Sequence, residues 1–236
     1  MKVQTFFERN ELKYLLSIEQ ANKLKSAMND KMVLDDYGKT TICNLYYDTP
    51  SYLLIRQSLE KPTYKEKVRL RSYGVASGNK MVFVEIKKKY KGLVSKRRLA
   101  MPESDAMDCM MGNNIFPTTQ IGKELSYCLT RYQPLSPKVF LSYDREAFYG
   151  RETRDFRITF DQNILWRDYD LSLSWGIYGN QLLSGHEVLL EVKHVGALPL
   201  WLVHFLSEHQ IYKTSFSKYG NAYLEMMGKE PLRRFL

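Results

Sequence analysis

The sequence is short of cysteine and histidine, and it has no long apolar run. Three cysteines in 236 residues, Cys43, Cys109 and Cys128, form no CxxC pair, and we expect reduced, mostly buried thiols in a cytoplasmic protein. The four histidines show no HExxH spacing, which favours structural or exposed roles for them. No stretch approaches the roughly 20 apolar residues that span a bilayer, and the N-terminus has no apolar signal-peptide core.

Positive charge is what the chain has in excess. Lys and Arg number 35 against 26 Asp and Glu, a net charge of +9, which bears on partners rather than on fold. The candidate partners are nucleic acid, an anionic membrane surface and a small polyphosphate ligand. A hydrophobic content of 44% provides for a core, and 17 tyrosines favour strands. No linker or repeat divides the chain, so we expect one domain over residues 1–236.

The pattern of apolar and turn residues predicts more strand than helix. Predicted strands cover 4–16, 41–47, 63–73, 80–90, 92–101, 138–149, 155–162, 165–173 and 187–194. Predicted helices cover 17–29, a short stretch ending at 57, 102–131 with a break at 113–117, 199–207 and 217–227. Most of these strands are joined by short turns, which indicates antiparallel pairing. The sequence therefore predicts an α+β protein built on a large antiparallel sheet or barrel.

Charged residues recur at every second position of these strands, and so share one face of each strand. Lys67, Arg69 and Arg71, for example, alternate with Val68 and Leu70. The same alternation groups Arg9, Glu11 and Lys13; Glu85, Lys87 and Lys89; Lys96 and Arg98; Tyr143 and Arg145; Arg157, Thr159 and Asp161; and Glu191 and Lys193. A solvent-exposed face would give this pattern. So would a sheet whose apolar face is covered by outer helices and whose charges point into the interior.

The charged faces are mostly cationic, which indicates an anionic ligand. Neighbouring strands carrying such faces would repel each other unless an anion lay between them. A phosphate chain suits the forked guanidinium of Arg and the compact charge of Lys. The carboxylates Glu11, Glu85 and Glu191 are poor phosphate ligands, but Mg²⁺ or Mn²⁺ could bridge them to phosphates. Nucleic-acid binding is disfavoured, because the cations alternate along strands rather than forming a patch with stacking aromatics.

Nine short motifs follow one another along the chain. They are Arg9-Asn10-Glu11-Leu12-Lys13-Tyr14, Tyr46-Tyr47-Asp48-Thr49, Arg69-Leu70-Arg71-Ser72-Tyr73, Val84-Glu85-Ile86-Lys87, Lys96-Arg97-Arg98, Ser142-Tyr143-Asp144-Arg145-Glu146-Ala147-Phe148, Arg157-Ile158-Thr159-Phe160-Asp161, Leu190-Glu191-Val192-Lys193 and Phe216-Ser217-Lys218-Tyr219. In this order they resemble the polyphosphate polymerase domain family of the vacuolar transporter chaperone (VTC). That family is part of the triphosphate tunnel metalloenzyme, or CYTH-like, superfamily, and the resemblance covers nearly the whole chain.

The resemblance implies a closed antiparallel β-barrel of about eight strands, with helices packed outside and a charged tunnel inside. It implies that ATP or inorganic polyphosphate lies in the tunnel with Mn²⁺ or Mg²⁺. From the resemblance and the alternation together, the predicted catalytic residues are Arg69, Arg71, Lys87, Arg145 and Arg157. The predicted phosphate-binding residues are Lys13, Lys67, Lys96, Arg98, Lys193 and Lys218. The predicted metal ligands are Glu191 and Glu11.

One departure narrows the resemblance. The wider superfamily often has Glu-x-Glu-x-Lys in its first strand, and here Arg9 stands at the first position, which favours the VTC branch over a triphosphatase or cyclase-like member. The predicted function is transfer of the ATP γ-phosphate to a growing polyphosphate chain. Hydrolysis of triphosphate or polyphosphate, and non-catalytic sensing of polyphosphate or nucleotide, stay open. No nucleic acid is expected as partner and no transmembrane segment is expected, while a membrane-protein partner is left open.

Overall fold

The computed structural model describes residues 10–60, 62–91, 93–229 and 234–235. Its strands are β1 (Asn10–Ser17), β2 (Met32–Asp48), β3 (Tyr64–Tyr73), β4 (Met81–Tyr90), β5 (Leu93–Pro102), β6 (Ser136–Gly150), β7 (Arg157–Arg167), β8 (Asn180–Gln181), β9 (Glu187–His194), β10 (Thr214–Ser215) and β11 (Arg234–Phe235). Its helices are α1 (Ile18–Met28), α2 (Leu53–Leu59), α3 (Glu103–Met111), α4 (Gln120–Arg131), α5 (Leu200–Glu208) and α6 (Lys218–Met226). The motif position Arg9 lies outside the described residues.

Nine strands form one antiparallel sheet, which confirms the predicted α+β class. The strand order is β1-β9-β7-β6-β2-β3-β4-β5, with β8 added beside β7. The sheet curls strongly, so that Glu11 of β1 comes within 3.9 Å of Lys87 of β4. In the described part of the chain, however, no ladder joins β1 to β5, and the free side of β1 instead bridges Tyr14 to Lys213. The sheet is thus an open path, and the predicted closure into a barrel is not confirmed.

Helices cover the outer, convex face of the curled sheet, which is the second of the two arrangements that the alternation allowed. Val68 and Leu70 of β3 share a buried cluster with Ala106 of α3 and Leu125 of α4. A second buried cluster joins α1 and α5 to the apolar positions of β1, β7 and β9. Because the apolar side chains of β3 are buried against these helices, their charged neighbours in sequence must point to the concave side.

One helix, α6, lies on the concave side, where sequence alternation predicted only charge. The ring of Tyr219 in α6 stacks on Tyr46 of β2 at 4.5 Å between centroids. The buried carboxylate of Asp48 accepts a hydrogen bond from the Tyr219 hydroxyl at 2.9 Å and from the backbone amides of Leu54 and Ile55 in α2. Asp48 therefore holds the start of α2 and the first turn of α6 in place, and α6 fills part of the concavity.

Most predicted elements are present, and two differ for identifiable reasons. α1 begins with the expected capping box of Ser17 and Gln20. The predicted strands at 155–162 and 165–173 are one strand that ends at Arg167, because the buried Arg167 guanidinium donates to four carbonyls of the following loop and holds it curved. β2 starts nine residues before the predicted strand 41–47. The added segment is separated from the predicted one by a register shift near Gly38 (φ +54°).

The three cysteines are free and buried, as expected. No helix of the described residues has the length and apolarity needed to cross a membrane.

Candidate functional site

The concave face gathers the alternating charged residues of seven strands into one polar interior. Its cations are Lys13, Lys67, Arg69, Arg71, Lys87, Lys96, Arg145, Lys193 and Lys218, and its carboxylates are Glu11, Glu85, Asp161 and Glu191. The excess is positive by five charges among these residues. How each cation is compensated divides the face into three parts.

The first part, the α6 cluster, consists of Lys13, Arg145, Asp161, Glu191 and Lys218. The Arg145 guanidinium forks onto both oxygens of Asp161 at 2.6 Å, and its Nη2 also reaches Glu191 Oε2 at 2.9 Å. Lys218 Nζ contacts Asp161 Oδ2 at 2.5 Å and Glu191 Oε1 at 3.1 Å. Lys13 Nζ lies 3.5 Å from the same Glu191 oxygen. Every charge of this cluster therefore has an opposite charge in contact.

Electrostatics in the α6 cluster favour the ionised forms of Glu191 and Lys218. Desolvation opposes ionisation of Glu191, yet Lys218, Lys13 and Arg145 outweigh it and hold its pKa well below the ordinary carboxyl value. Desolvation likewise opposes the charged form of Lys218, but Asp161 and Glu191 raise its pKa above the ordinary lysine value. The buried pairs thus persist as ion pairs at neutral pH.

The second part, the Glu85 cluster, consists of Arg69, Arg71 and Glu85. Only 2% of the Glu85 side chain is exposed, and Arg69 binds its Oε2 through Nε at 2.8 Å and Nη2 at 2.7 Å. Arg71 lies 3.7 Å from the same oxygen. Although burial raises the pKa of Glu85, the neighbouring cations lower it to about 2. Arg71 also donates to Asn44 Oδ1 at 3.0 Å, so both guanidinium groups are fixed in orientation.

Tyr143 links the α6 cluster to the Glu85 cluster. Its hydroxyl accepts a hydrogen bond from Arg71 Nη2 at 3.2 Å. Its ring lies under Lys218 Nζ at 4.5 Å and under Arg145 at 5.1 Å. Burial raises the pKa of this phenol, but Arg71, Arg145 and Lys218 outweigh burial and lower it below the ordinary tyrosine value. The lowered pKa shows how positive the floor of the site is.

The third part, the lysine row, consists of Lys67, Lys87 and Lys96, which are direct cross-strand partners on β3, β4 and β5. Like charges directly opposite each other destabilise a sheet. The charge of Lys96 is compensated by Glu85 Oε1 at 2.5 Å, whereas Lys87 lies 3.9 Å from the nearest carboxylate, that of Glu11. Lys67 Nζ donates to the hydroxyl of Ser217 at 3.0 Å and has no carboxylate within ion-pair distance in the described residues.

Lys67 is the most strongly perturbed cation of the lysine row. Desolvation, followed by the fields of Lys87, Lys13, Lys65 and Arg69, lowers its pKa to about 7. Desolvation and the two nearby arginines lower the pKa of Lys96 to about 8, against the opposing effect of Glu85. Ammonium groups with depressed pKa values and too few counter-charges mark the place where an anion would be stabilised most.

The structure brings together eleven of the thirteen predicted site residues and leaves two at the margin. Arg157 is 46% exposed and pairs with Asp35 at 2.8 Å. Arg98 is exposed and lies over the ring of Phe83 at 4.9 Å. The other eleven are Lys13, Lys67, Arg69, Arg71, Lys87, Lys96, Arg145, Lys193, Lys218, Glu11 and Glu191. Lys193 faces the cavity from β9, opposite Glu11 and 4.0 Å from it.

Several residues of the site were not among the predicted ones. Asp161 shares the alternation of its strand, and a search for carboxylates beside Arg145 would have found it. Asn44, Tyr46 and Ser217 are uncharged, so the alternation of charge could not select them. Tyr46 is neutral, yet its hydroxyl accepts a hydrogen bond from Arg69 Nη1 at 2.8 Å. Ser217 is the N-cap of α6. Its hydroxyl oxygen accepts hydrogen bonds from the backbone amide of Gly220 and from Lys67 Nζ.

The carboxylates of the site differ in how accessible their oxygens are to a divalent metal. Both oxygens of Glu191 are engaged by cations, whereas Glu11 meets Lys13, Lys87 and Lys193 only at 3.4–4.0 Å. Those three lysines lower the pKa of Glu11 to about 2 although burial opposes this. The described residues contain no group of three or more His, Cys, Asp or Glu placed to hold a metal. The donor set therefore fits a metal that takes most of its ligands from phosphate and water, with Glu11 the more accessible carboxylate.

Both the sequence and the fold have matches among known proteins. The sequence model of the family described as "VTC domain" matches residues 8–227. Among solved structures, a "putative adenylate cyclase" from Bacillus halodurans is 15% identical, covers 88% of this chain with 92% of its own, and has a TM-score of 0.55. One of the same description from Vibrio parahaemolyticus is 12% identical over 93% of this chain and 99% of its own, with a TM-score of 0.49. No curated protein matches.

Proposed function

The chain belongs to the VTC domain family, and from this premise we propose that its concave face binds the phosphate chain of ATP or inorganic polyphosphate and transfers the γ-phosphoryl group of ATP to a growing polyphosphate. The observation that carries the proposal is the lysine row. Lys67 and Lys87 face each other across two strands without a carboxylate between them. A phosphate chain lying along this row would supply the missing negative charge.

The fixed guanidinium groups on either side suit the same ligand. Phosphoryl transfer requires in-line positioning of the attacking and leaving oxygens and neutralisation of the equatorial ones. Arg69 and Arg71 on one side and Arg145 on the other are already oriented by hydrogen bonds and ion pairs. Groups held in place before substrate binds need little reorganisation during the reaction. Arg69, Arg71, Lys87 and Arg145 are therefore the proposed catalytic contacts, and Arg157 would contribute from the margin.

The reaction conserves charge and needs no covalent intermediate with the protein. A terminal oxygen of the polyphosphate chain forms a bond to the γ-phosphorus of ATP. The bond from that phosphorus to the β–γ bridging oxygen breaks, and ADP leaves with the electron pair. Lys67, Lys13, Lys96, Lys193 and Lys218 would hold the non-transferred phosphates. Bound Mn²⁺ or Mg²⁺ would neutralise charge on the phosphate oxygens, and Glu11 and Glu191 are the side chains that would hold it.

Incubation with ATP and Mn²⁺ or Mg²⁺ tests this proposal, with a short polyphosphate primer and detection of polyphosphate by gel. We expect chain growth and ADP release by the wild type, and loss of both in Arg71→Met. Lys123→Met removes an exposed cation of α4 and serves as the matched control with unchanged turnover. Phosphate release without chain growth would replace the proposal with hydrolysis. Tight binding of phosphate chains without any turnover would replace it with a sensor.

We also infer a cytoplasmic location from the three buried free thiols. Expression with compartment-specific tags in a host cell would test it. The interior position of the cations gives no support to nucleic acid as a partner, and a membrane-protein partner stays a prediction.

A further inference from the structure

Four side chains form a continuous aromatic and cationic surface at one margin of the concave face, here called the rim platform (Tyr37, Tyr73, Phe83 and Arg98). The rings of Tyr37 and Tyr73 are nearly parallel, 11° apart, with centroids at 6.3 Å. Tyr73 meets Phe83 edge to face at 5.9 Å. The guanidinium of Arg98 lies over Phe83 at 4.9 Å. These contacts hold four π-systems in one small area.

The rim platform is placed directly beyond the Glu85 cluster. Tyr73 follows Arg71 by two residues on β3 and therefore shares the concave face with it. Phe83 precedes Glu85 by two residues on β4 and shares the same face. Two residues along a strand correspond to about 6.7 Å. Arg71 and Phe83 are direct cross-strand partners, as are Glu85 and Arg98. A group one sugar in length would therefore bridge the platform and the guanidinium groups of the cluster.

The platform is more exposed than internal packing would make it. Tyr37 is 79% exposed and Tyr73 is 45% exposed. Two strand tyrosines of the concave face, Tyr46 and Tyr143, are by contrast buried and have defined partners within the site. Flat rings that are held in place but open to solvent are suited to stacking on another flat group.

We propose that the rim platform stacks the base of a nucleoside triphosphate whose phosphates lie on the Glu85 cluster and the lysine row. This inference rests on the proposed phosphate binding and specifies its substrate as a nucleotide entering from this margin. Stacking uses the π-face that every base has, so the platform recognises a nucleobase as a class rather than one base. Arg98 can contribute through its planar guanidinium, which stacks on aromatic faces.

Comparison of ATP with methyl triphosphate isolates the nucleoside, because methyl triphosphate has the same phosphate chain without ribose or base, and the Tyr73 variants then separate stacking of the base from contacts of the ribose. Dissociation constants for both, measured by calorimetry on the full chain, give a preference ratio. A stacked base is worth roughly 5- to 150-fold in affinity, and we expect the wild type to prefer ATP within that range. Tyr73→Ala should lower the ratio at least fivefold, whereas Tyr73→Phe keeps the ring and should keep the ratio. Tyr127→Ala removes an exposed tyrosine of α4 and should leave the ratio unchanged.

The outcomes separate this inference from the function on which it rests. Equal affinity of the wild type for ATP and methyl triphosphate would overturn the stacking site and leave phosphate binding intact. A ratio that does not change in Tyr73→Ala would also overturn it, because the preference would then arise elsewhere. Failure of the wild type to bind either compound would instead overturn the proposed function itself.

Discussion

The lysine row and the Glu85 cluster lie two residues apart on the same strands, yet their charges are arranged in opposite ways. In the Glu85 cluster the carboxylate sits directly across from Arg69 on one side and Arg98 on the other. In the lysine row the corresponding position is Lys87, so that Lys67, Lys87 and Lys96 are consecutive cations. The cations of the Glu85 cluster have a counter-charge without a ligand, whereas the lysine row would need a bound anion to supply one. The comparison separates cations that a carboxylate already holds in place before a ligand binds from cations whose charge only a ligand would neutralise.

Glu85→Gln is expected to have the largest effect, a loss of stability, because it removes the counter-charge of the Glu85 cluster. Removing the charge of a carboxylate that is 2% exposed leaves Arg69, Arg71 and Lys96 without their counter-charge. Breaking a buried ion pair by removing one partner costs about 3–5 kcal/mol, and denaturant unfolding should show a loss of that order. Glu19→Gln removes an exposed carboxylate of α1 that pairs with Lys23 and should leave the unfolding midpoint in place. Equal midpoints for the two variants would contradict the account of the Glu85 cluster.

Lys67→Met, in the lysine row, should not lower the free energy of unfolding as Glu85→Gln does. It removes a cation that repels its neighbours, so the free energy of unfolding should stay the same or rise by about 1 kcal/mol. The affinity for inorganic tripolyphosphate should fall roughly 10- to 150-fold, the value of one charge-assisted hydrogen bond. Unfolding and calorimetry on the same preparation measure both. A variant that is destabilised while its affinity is unchanged would show that Lys67 is structural.

The pH dependence of binding sharpens the difference further. The pKa of Lys67 is about 7 in the free protein, and a bound phosphate chain would raise it, so binding takes up a proton. Affinity for tripolyphosphate should therefore be full below pH 7 with respect to this group, and should fall by up to about tenfold per pH unit from 7.5 to 9. Lys67→Arg keeps its charge throughout and should reduce the slope, leaving the part that arises from Lys96, whose pKa is about 8. An unchanged slope in Lys67→Arg would assign the titration to another group.

The smallest effects are expected at the margin. Arg157 is half exposed and has its own partner, Asp35, so Arg157→Ala should weaken tripolyphosphate binding only about twofold to fivefold. Arg71→Ala, which removes a fixed guanidinium from the interior, should weaken it more. Titrations at 0.05 and 0.3 M salt would show the marginal contribution screened first. A larger loss in Arg157→Ala than in Arg71→Ala would move the ligand to the margin.

The period-two charge pattern was enough to predict which residues share a face, because the alternation of strand residues depends only on the backbone, but it left open whether that face points to solvent or to the interior. It placed Lys67, Arg69 and Arg71 together and assigned Val68 and Leu70 to the opposite side. It could not predict how the sheet ends. The bridge between Tyr14 and Lys213 and the long loop held by Arg167 depend on contacts between distant segments, which no local pattern encodes.

Uncharged and helix-borne parts of the site were also beyond the sequence pattern. Ser217 and Lys218 contact Lys67 and Asp161 from the start of α6, where Tyr219 is bonded to Asp48, 171 residues earlier in the chain. Asn44 orients Arg71 from a neighbouring strand in the same way. The pairing of cations with specific carboxylates, and hence the difference between the two rows, follows from strand register and could be read only from the structure.

The central claim is that the lysine row is completed by a phosphate chain. Calorimetric titration of inorganic tripolyphosphate into the wild type, into Lys67→Met with Lys87→Met, and into the charge-matched control Lys123→Met with Lys229→Met, at two exposed positions, tests it most directly. We expect one tripolyphosphate per chain for the wild type and the control, and loss of measurable binding in the double variant with its fold intact. Equal binding by all three proteins, or no binding by the wild type, would contradict the account.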